Sequence, residues 1–263
     1  MLPNSLRLRG IRFAFLFGPP RFIQRDEASK VHGAVCDALG QDDLAFRYTH
    51  SGDPDKPSAR GVSITFDRKE GRGEFSATID MKTVTVPIRL LLVYEWPPSH
   101  THATETFDAA YEAIFSSLPG AWTRVLAEVR LRAQCDTREK SALTFISQRL
   151  LKLDDAWLSG LGSPLVSSAL KFEVEATSPT AENQLAGPRR ELQMEVLREE
   201  PQCLYLELMS QWAQLPPFPL PPRLDFNPGS VRRIEQKPSE YVEEAYGYLR
   251  VRVESLGNYE DQA

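Results

Sequence analysis

The chain has 263 residues, 41% of them apolar and 25% charged, which is ample material for a hydrophobic core and far from a disordered composition. Its net charge of −5 and pI near 5.5 argue against bulk electrostatic binding to nucleic acid or to an anionic membrane. Three widely spaced cysteines, Cys36, Cys135 and Cys203, form no disulfide framework and no CxxC pair, which predicts a reducing, cytoplasmic setting.

From Leu6 to Phe17 the pattern has period two, with Ile11, Phe13, Phe15 and Phe17 pointing one way and Arg12, Ala14 and Leu16 the other. Leu6 and Leu8 fall on the opposite parity, and a bulge at Gly10 would reconcile the two sets. Arg12 interrupts the apolar run and Pro19-Pro20 follows it, so this start reads as a strand rather than a signal peptide. A helix is predicted from about Gln24 to Leu39, stopped by Gly40. Strands follow at Leu44 to Thr49, around Val62 to Phe66 and Phe75 to Ile79, and from Val84 to Trp96, with a hairpin turn across Arg68 to Gly73. No run is long and apolar enough to span a bilayer. Phe107, Ala110, Tyr111, Ile114, Phe115 and Leu118 then form a helical stripe within about Thr104 to Leu118.

The order restarts there. Thr123 to Cys135 reads as a strand, about Arg138 to Leu153 as a helix, and Ala169 to Thr177, Glu191 to Arg198 and Gln202 to Trp212 as strands. The last helix, from about Ser239 to Leu256, is delayed by a proline-rich passage and is predicted to stop at Gly257. The expected fold is therefore α+β, with two similar β-α-β(3-4)-α halves, 1–120 and 121–263, in one compact unit. Trp96 and Trp212 lie 116 residues apart, and the same offset carries the first strand onto Thr123 to Cys135. Alternating apolar and polar faces predict antiparallel sheets packed by helices on one side, either two sheets or the two joined into one.

No nucleophile elbow, phosphate loop or dinucleotide fingerprint is present. The sharpest local feature is Ser99-His100-Thr101-His102. Two histidines two apart beyond a strand can share a metal, so His100 and His102 are the metal-ligand candidates. The bland reading is a polar loop ahead of a helix capped by Thr104 or Thr106. His32 and Cys36, four apart on one helix face, read as a partly buried pair. Arg7, Arg9, Arg130 and Arg132 recur on the two opening strands, and with Glu128 among them they read as solvated faces or cross-strand ion pairs. Leu215 to Arg223 could dock as a polyproline helix or serve as a stiff connector. Its Phe218, Leu220 and Arg223, together with Trp96 and Trp212, are the interaction candidates.

An aromatic-rich helix (Phe107, Tyr111, Phe115) runs into an Arg-bearing strand (Val129-Arg130-Leu131-Arg132), and a terminal helix follows an Asp-Phe-Asn segment, Asp225 to Asn227. This layout resembles a sporadically distributed family of uncharacterised bacterial proteins of similar length. Where that family ends the strand on an Arg-Tyr-Ile-Asn-like stretch, this chain has Arg132-Ala133-Gln134-Cys135. The resemblance implies no catalytic residues, and it suggests an accessory or defence-type bacterial setting.

The functional expectation is a non-enzymatic protein-binding or complex-assembly subunit without a cofactor. One alternative is a carrier of a small apolar ligand in a sheet-helix cavity. Another is a metal-dependent hydrolase using His100 and His102. The sequence leaves the partner's identity and the oligomeric state open.

Overall fold

The computed structural model describes residues 6–18, 21–40, 44–51, 61–82, 86–118, 123–137, 141–161, 167–175, 187–197, 199–213 and 236–261. The first strand, β1 (Arg7–Gly18), is followed by α1 (Arg25–Leu39). Then come β2 (Ala45–Ser51), β3 (Gly61–Glu70), β4 (Gly73–Met81) and β5 (Ile88–Glu95). Helix α2 (His100–Ser117) leads to β6 (Thr123–Asp136). A short helix α3 (Ala142–Thr144) continues as a π turn, Phe145–Leu150, and α4 (Asp155–Ser159) follows. Strands β7 (Ala169–Val174), β8 (Arg189–Val196) and β9 (Cys203–Ala213) precede the long α5 (Pro238–Asp261).

The nine strands of the described residues form a single antiparallel sheet in the order β2-β3-β4-β5-β1-β6-β9-β8-β7. Of the two arrangements left open, one sheet for each half or the two joined into one, the joined sheet is the one formed. The two opening strands are long and each has one wholly apolar side, so β1 and β6 pair along most of their length, with Phe13 opposite Val129. Neither is left as an unpaired edge, which a long apolar strand tolerates poorly.

The sheet buries one face against the helices. Ile11, Phe13, Phe15, Leu90, Leu92, Val129, Leu131, Leu206 and Leu208 are all buried, and they share one core with Val31 and Val35 of α1, Phe107 of α2, Phe145 of the π turn and Val242 of α5. Each alternate position on β5 and β4 is buried in turn, as a sheet covered on one side requires. The edge Phe15–Tyr111 and Phe17–Phe115 contacts, with ring centroids 5.6 and 5.0 Å apart, hold α2 to β1.

Helix α1 begins with a capping box in which Gln24 and Glu27 satisfy each other's backbone N–H groups, and it ends on Gly40 in the left-handed conformation. The expected stop at Gly40 is thus present. The expected stop at Gly257 is not, because α5 runs through it to Asp261. The predicted helix Arg138 to Leu153 is also shorter: it starts at Ala142 and passes into the π turn. There the Leu151 N–H reaches back to Ile146 O and the Leu153 N–H to Ser147 O, each at 2.9 Å.

The register between β1 and β6 shifts between Leu8 and Gly10, where the sequence pattern placed a bulge. Gly10 lies opposite Arg132 on one side and Glu95 on the other. These two side chains form a salt bridge across the glycine. A Cβ at Gly10 would sit 2.6 Å from Arg132 Nη2 and 2.9 Å from Glu95 Oε2. Gly10→Ala is therefore expected to push the pair apart and to cost about 1 kcal/mol in urea unfolding.

Candidate functional site

Ser99 fixes the fate of the histidine pair. Its hydroxyl accepts the His102 N–H at 3.0 Å and caps α2, so the helix begins at His100 and not near Thr104. Thr104 and Thr106 instead donate to the carbonyls of Thr101 and His102. Residues two apart on a helix do not face each other. His100 accordingly stacks on Tyr246 of α5, ring centroids 4.3 Å apart, with Nδ1 3.3 Å from Glu243 Oε1. His102 Nε2 turns to the Tyr94 hydroxyl at 3.1 Å. Among the described residues no three His, Cys, Asp or Glu side chains come together as a metal site.

Burial holds the His100 pKa below the usual 6.5, and the Glu243 carboxylate pulls it partly back. As pH falls through 6.5, the unfolded chain takes up a proton that folded His100 still refuses. Stability from this group is therefore complete above pH 6.5 and declines as pH falls towards the lower folded value. His100→Gln is expected to flatten that part of the stability–pH curve, measured by urea midpoints between pH 7 and 5.

The tryptophans separate. Trp96 lies beyond the end of β5 at φ 50°, is 47% exposed, and carries the Arg9 guanidinium 4.7 Å above its ring. Trp212 is buried within β9, edge-on to Tyr241 of α5 at 4.9 Å. Phe218, Leu220 and Arg223 lie outside the described residues. His32 and Cys36 do pair, at 3.4 Å, and the His32 ring stacks on Phe46 and Phe66. The strand arginines largely form ion pairs: Arg7 with Asp136, Arg130 with Glu128, and Arg132 with Glu95.

All three cysteines are buried thiols rather than disulfides. Burial pushes Cys135 up to about 12, and burial together with the Asp136 and Glu200 carboxylates does the same to Cys203. Both shifts favour the neutral thiol over the thiolate.

A further concavity among the described residues lies at the β7 end of the sheet on its helix-covered face. It encloses about 810 Å³. Leu170, Phe172 and Val174 of β7 and Leu192 and Met194 of β8 form its floor. The π turn brings Leu150 and Leu151 to one wall, and Tyr248 and Leu256 of α5 form another. Phe172 is 46% and Val174 45% exposed, unusual for apolar side chains on the inward face of a sheet. Cations stand among the apolar residues. Lys152 and Arg252 both line the groove, and neither forms a salt bridge among the described residues. Arg190 stacks on Tyr248 at 4.4 Å and pairs with Glu244 at 2.9 Å. Two local irregularities meet here: the π turn, and Lys152 at φ 53°.

None of these groove residues stood out in the sequence. The alternation of Leu170, Phe172 and Val174 with Lys171 and Glu173 marks a strand, but not that Phe172 and Val174 on its inward side stay nearly half exposed. No helix among the described residues is long and apolar enough to cross a membrane. Compared with protein-family models and with curated proteins, the chain finds no match.

Proposed function

We propose that this protein is a non-enzymatic binding subunit whose β7–β8 groove receives an amphipathic helix of a partner protein, with acidic residues beside its apolar face. The observation that carries this reading is the uncovered apolar floor. At the opposite end of the sheet, the fifteen-residue α1 lies over β2 and β3, with His32 stacked on Phe46 and Phe66. At the β7 end the described residues between β6 and β7 supply three residues of α3 and six of π turn beside the flank of α5, and Phe172 and Val174 stay nearly half exposed. A helix laid in the vacant position would bury Phe172 and Val174 as α1 buries its own strands. Lys152 and Arg252 favour carboxylates on that helix.

The same comparison supports an internal duplication as part of the proposal. Each opening strand pairs with the last strand of its own half, β1 with β5 and β6 with β9. Tyr94 stands opposite Ile11, and Trp212 opposite Ala127, which lies 116 residues after Ile11. On this reading the counterpart of Trp212 is Tyr94, and Trp96 lies two residues past it. A cytoplasmic setting belongs to the proposal as well, supported by three buried thiols in a chain without disulfides.

An apolar small-molecule carrier encloses most of its ligand. This groove is open along one side, with Phe172 and Leu151 each at least two-fifths exposed, so a lipid chain would stay half in water. The test is capture of partners from the native host by the wild-type chain and by Phe172→Asp, followed by hydrogen exchange on the purified complex. A partner held by wild type, lost by the variant and protecting β7 and the second half of α5 supports the proposal. Equal capture by both chains, protection elsewhere, or a co-purified lipid in native mass spectrometry overturns it.

A further inference from the structure

The side of the sheet away from the helices has its own cleft, about 360 Å³, over the four central strands. Arg12 of β1, Leu91, Val93 and Glu95 of β5, Arg130 and Arg132 of β6, and Tyr205 and Glu207 of β9 line it. Arg12 and Arg130 face each other directly in the β1–β6 register. Like charges opposite one another on neighbouring strands are destabilising unless something neutralises them.

Neutralisation is incomplete here. Arg130 Nε lies 2.8 Å from Glu128 Oε1, with Glu207 Oε1 3.8 Å from its Nη1. Arg132 pairs with Glu95 across Gly10. Tyr205 donates to Glu207 Oε2 at 3.2 Å. The carboxylates are thus taken. Arg12 makes no hydrogen bond or salt bridge among the described residues, and its Nε is buried without a partner. Burial depresses its pKa first, and Arg89, Arg130 and Arg132 add to the effect while Glu128 opposes it. An arginine both partly desolvated and surrounded by three others is short of negative charge.

We infer that this cleft binds a small molecule through an oxyanion, a phosphate or a carboxylate, held by Arg12 with Arg130 beside it. The planar guanidinium fork suits such a group, since it offers two parallel N–H donors to two oxygens. Leu91 and Val93 give the remainder of the ligand an apolar wall. The cleft volume matches the bulk of a compact metabolite. Gly10 keeps one end of the cleft open, because a side chain there would displace the Arg132–Glu95 bridge.

This site is on the face opposite the β7–β8 groove and does not depend on it. The test is titration of the wild-type chain with inorganic phosphate and, separately, with acetate, against chloride at equal ionic strength. Amide chemical shifts and the thermal midpoint are the readouts. Shifts clustered at Arg12, Arg130 and Tyr205 with a raised midpoint support the inference, and whichever anion produces them names the ligand's group. Arg12→Gln is expected to weaken that response about tenfold, the scale of one charged hydrogen-bond partner. Arg7→Gln, whose pair is Asp136, is expected to leave it unchanged. If neither anion differs from chloride, or if shifts fall elsewhere, the inference is wrong. The shift map uses the wild-type chain, so it decides the matter even if Arg12→Gln fails to fold.

Discussion

Replacing Phe13 with alanine is expected to remove about 3–5 kcal/mol of stability, the largest effect of any single truncation in the core. Phe13 sits at the middle of the middle strand, fully buried. Its ring lies 5.6 Å from that of Phe15 and 5.9 Å from that of Tyr241, so it ties β1 to α5 as well as to its neighbours in the sheet. Leu92 and Val129 flank it across the two pairings. None of these has room to collapse into the space, since all belong to ordered strands or a helix already in contact with others. A domain of ordinary stability, about 5–15 kcal/mol, would be brought close to half-unfolded under mild conditions. Urea unfolding followed by circular dichroism checks this. A loss below about 1 kcal/mol would mean that β1 is not the centre of the core.

The second large effect concerns binding rather than folding. Phe172→Asp is expected to weaken partner binding about 30- to 1000-fold, the range of a central aromatic hot spot. The thermal midpoint should move by only a few degrees, because the ring is already half in water in the isolated protein. The two readouts together separate the roles. An aromatic that only completed the core would reduce stability and leave affinity, measured on surviving folded protein, unchanged. The new carboxylate would also oppose the acidic helix proposed for the groove, so the loss should shrink as salt is raised. Binding unaffected by Phe172→Asp would sink the proposal for this site.

The strands and helices were legible in the sequence for a simple reason. Most of them bury one side only, and one-sided burial leaves a period: two for Phe75, Ala77 and Ile79, near 3.6 for Phe107, Ala110, Ile114 and Leu118. What the period cannot express is which element lies next to which. Phe13 has the same pattern whether its neighbour is Val129 or solvent, so the joining of β1 to β6 into one sheet stayed open. Caps are read locally but compete with one another. Ser99, Thr104 and Thr106 all have the chemistry of a cap, and only the geometry of the chain leaving β5 selects Ser99. That choice places His100 and His102 on a helix and directs them to Glu243 and Tyr94. The groove was least legible of all, because it follows from a helix that stops early. Leu150 and Leu151 continue an apolar pattern that a regular α-helix would have extended, and the π turn redirects it. Trp96 and Trp212 matched as letters but not as positions, since one ends a strand and the other lies within it.

The β1–β6 pairing has a consequence for how the chain is made. β1 leaves the ribosome more than a hundred residues ahead of β6, its partner along one side. Once β5 is made β1 can pair with it, but until β6 follows β1 presents its other edge, backbone donors and acceptors included, to whatever is nearby. Contacts so distant in sequence close slowly, and nascent chains with an unmatched strand edge are prone to join one another. Arg7, Arg9 and Arg12 lie on that strand. Their charges would keep two nascent copies apart until β6 arrives, and the charge crowding that persists around Arg12 in the finished fold is then partly a legacy of protecting an edge that no longer exists.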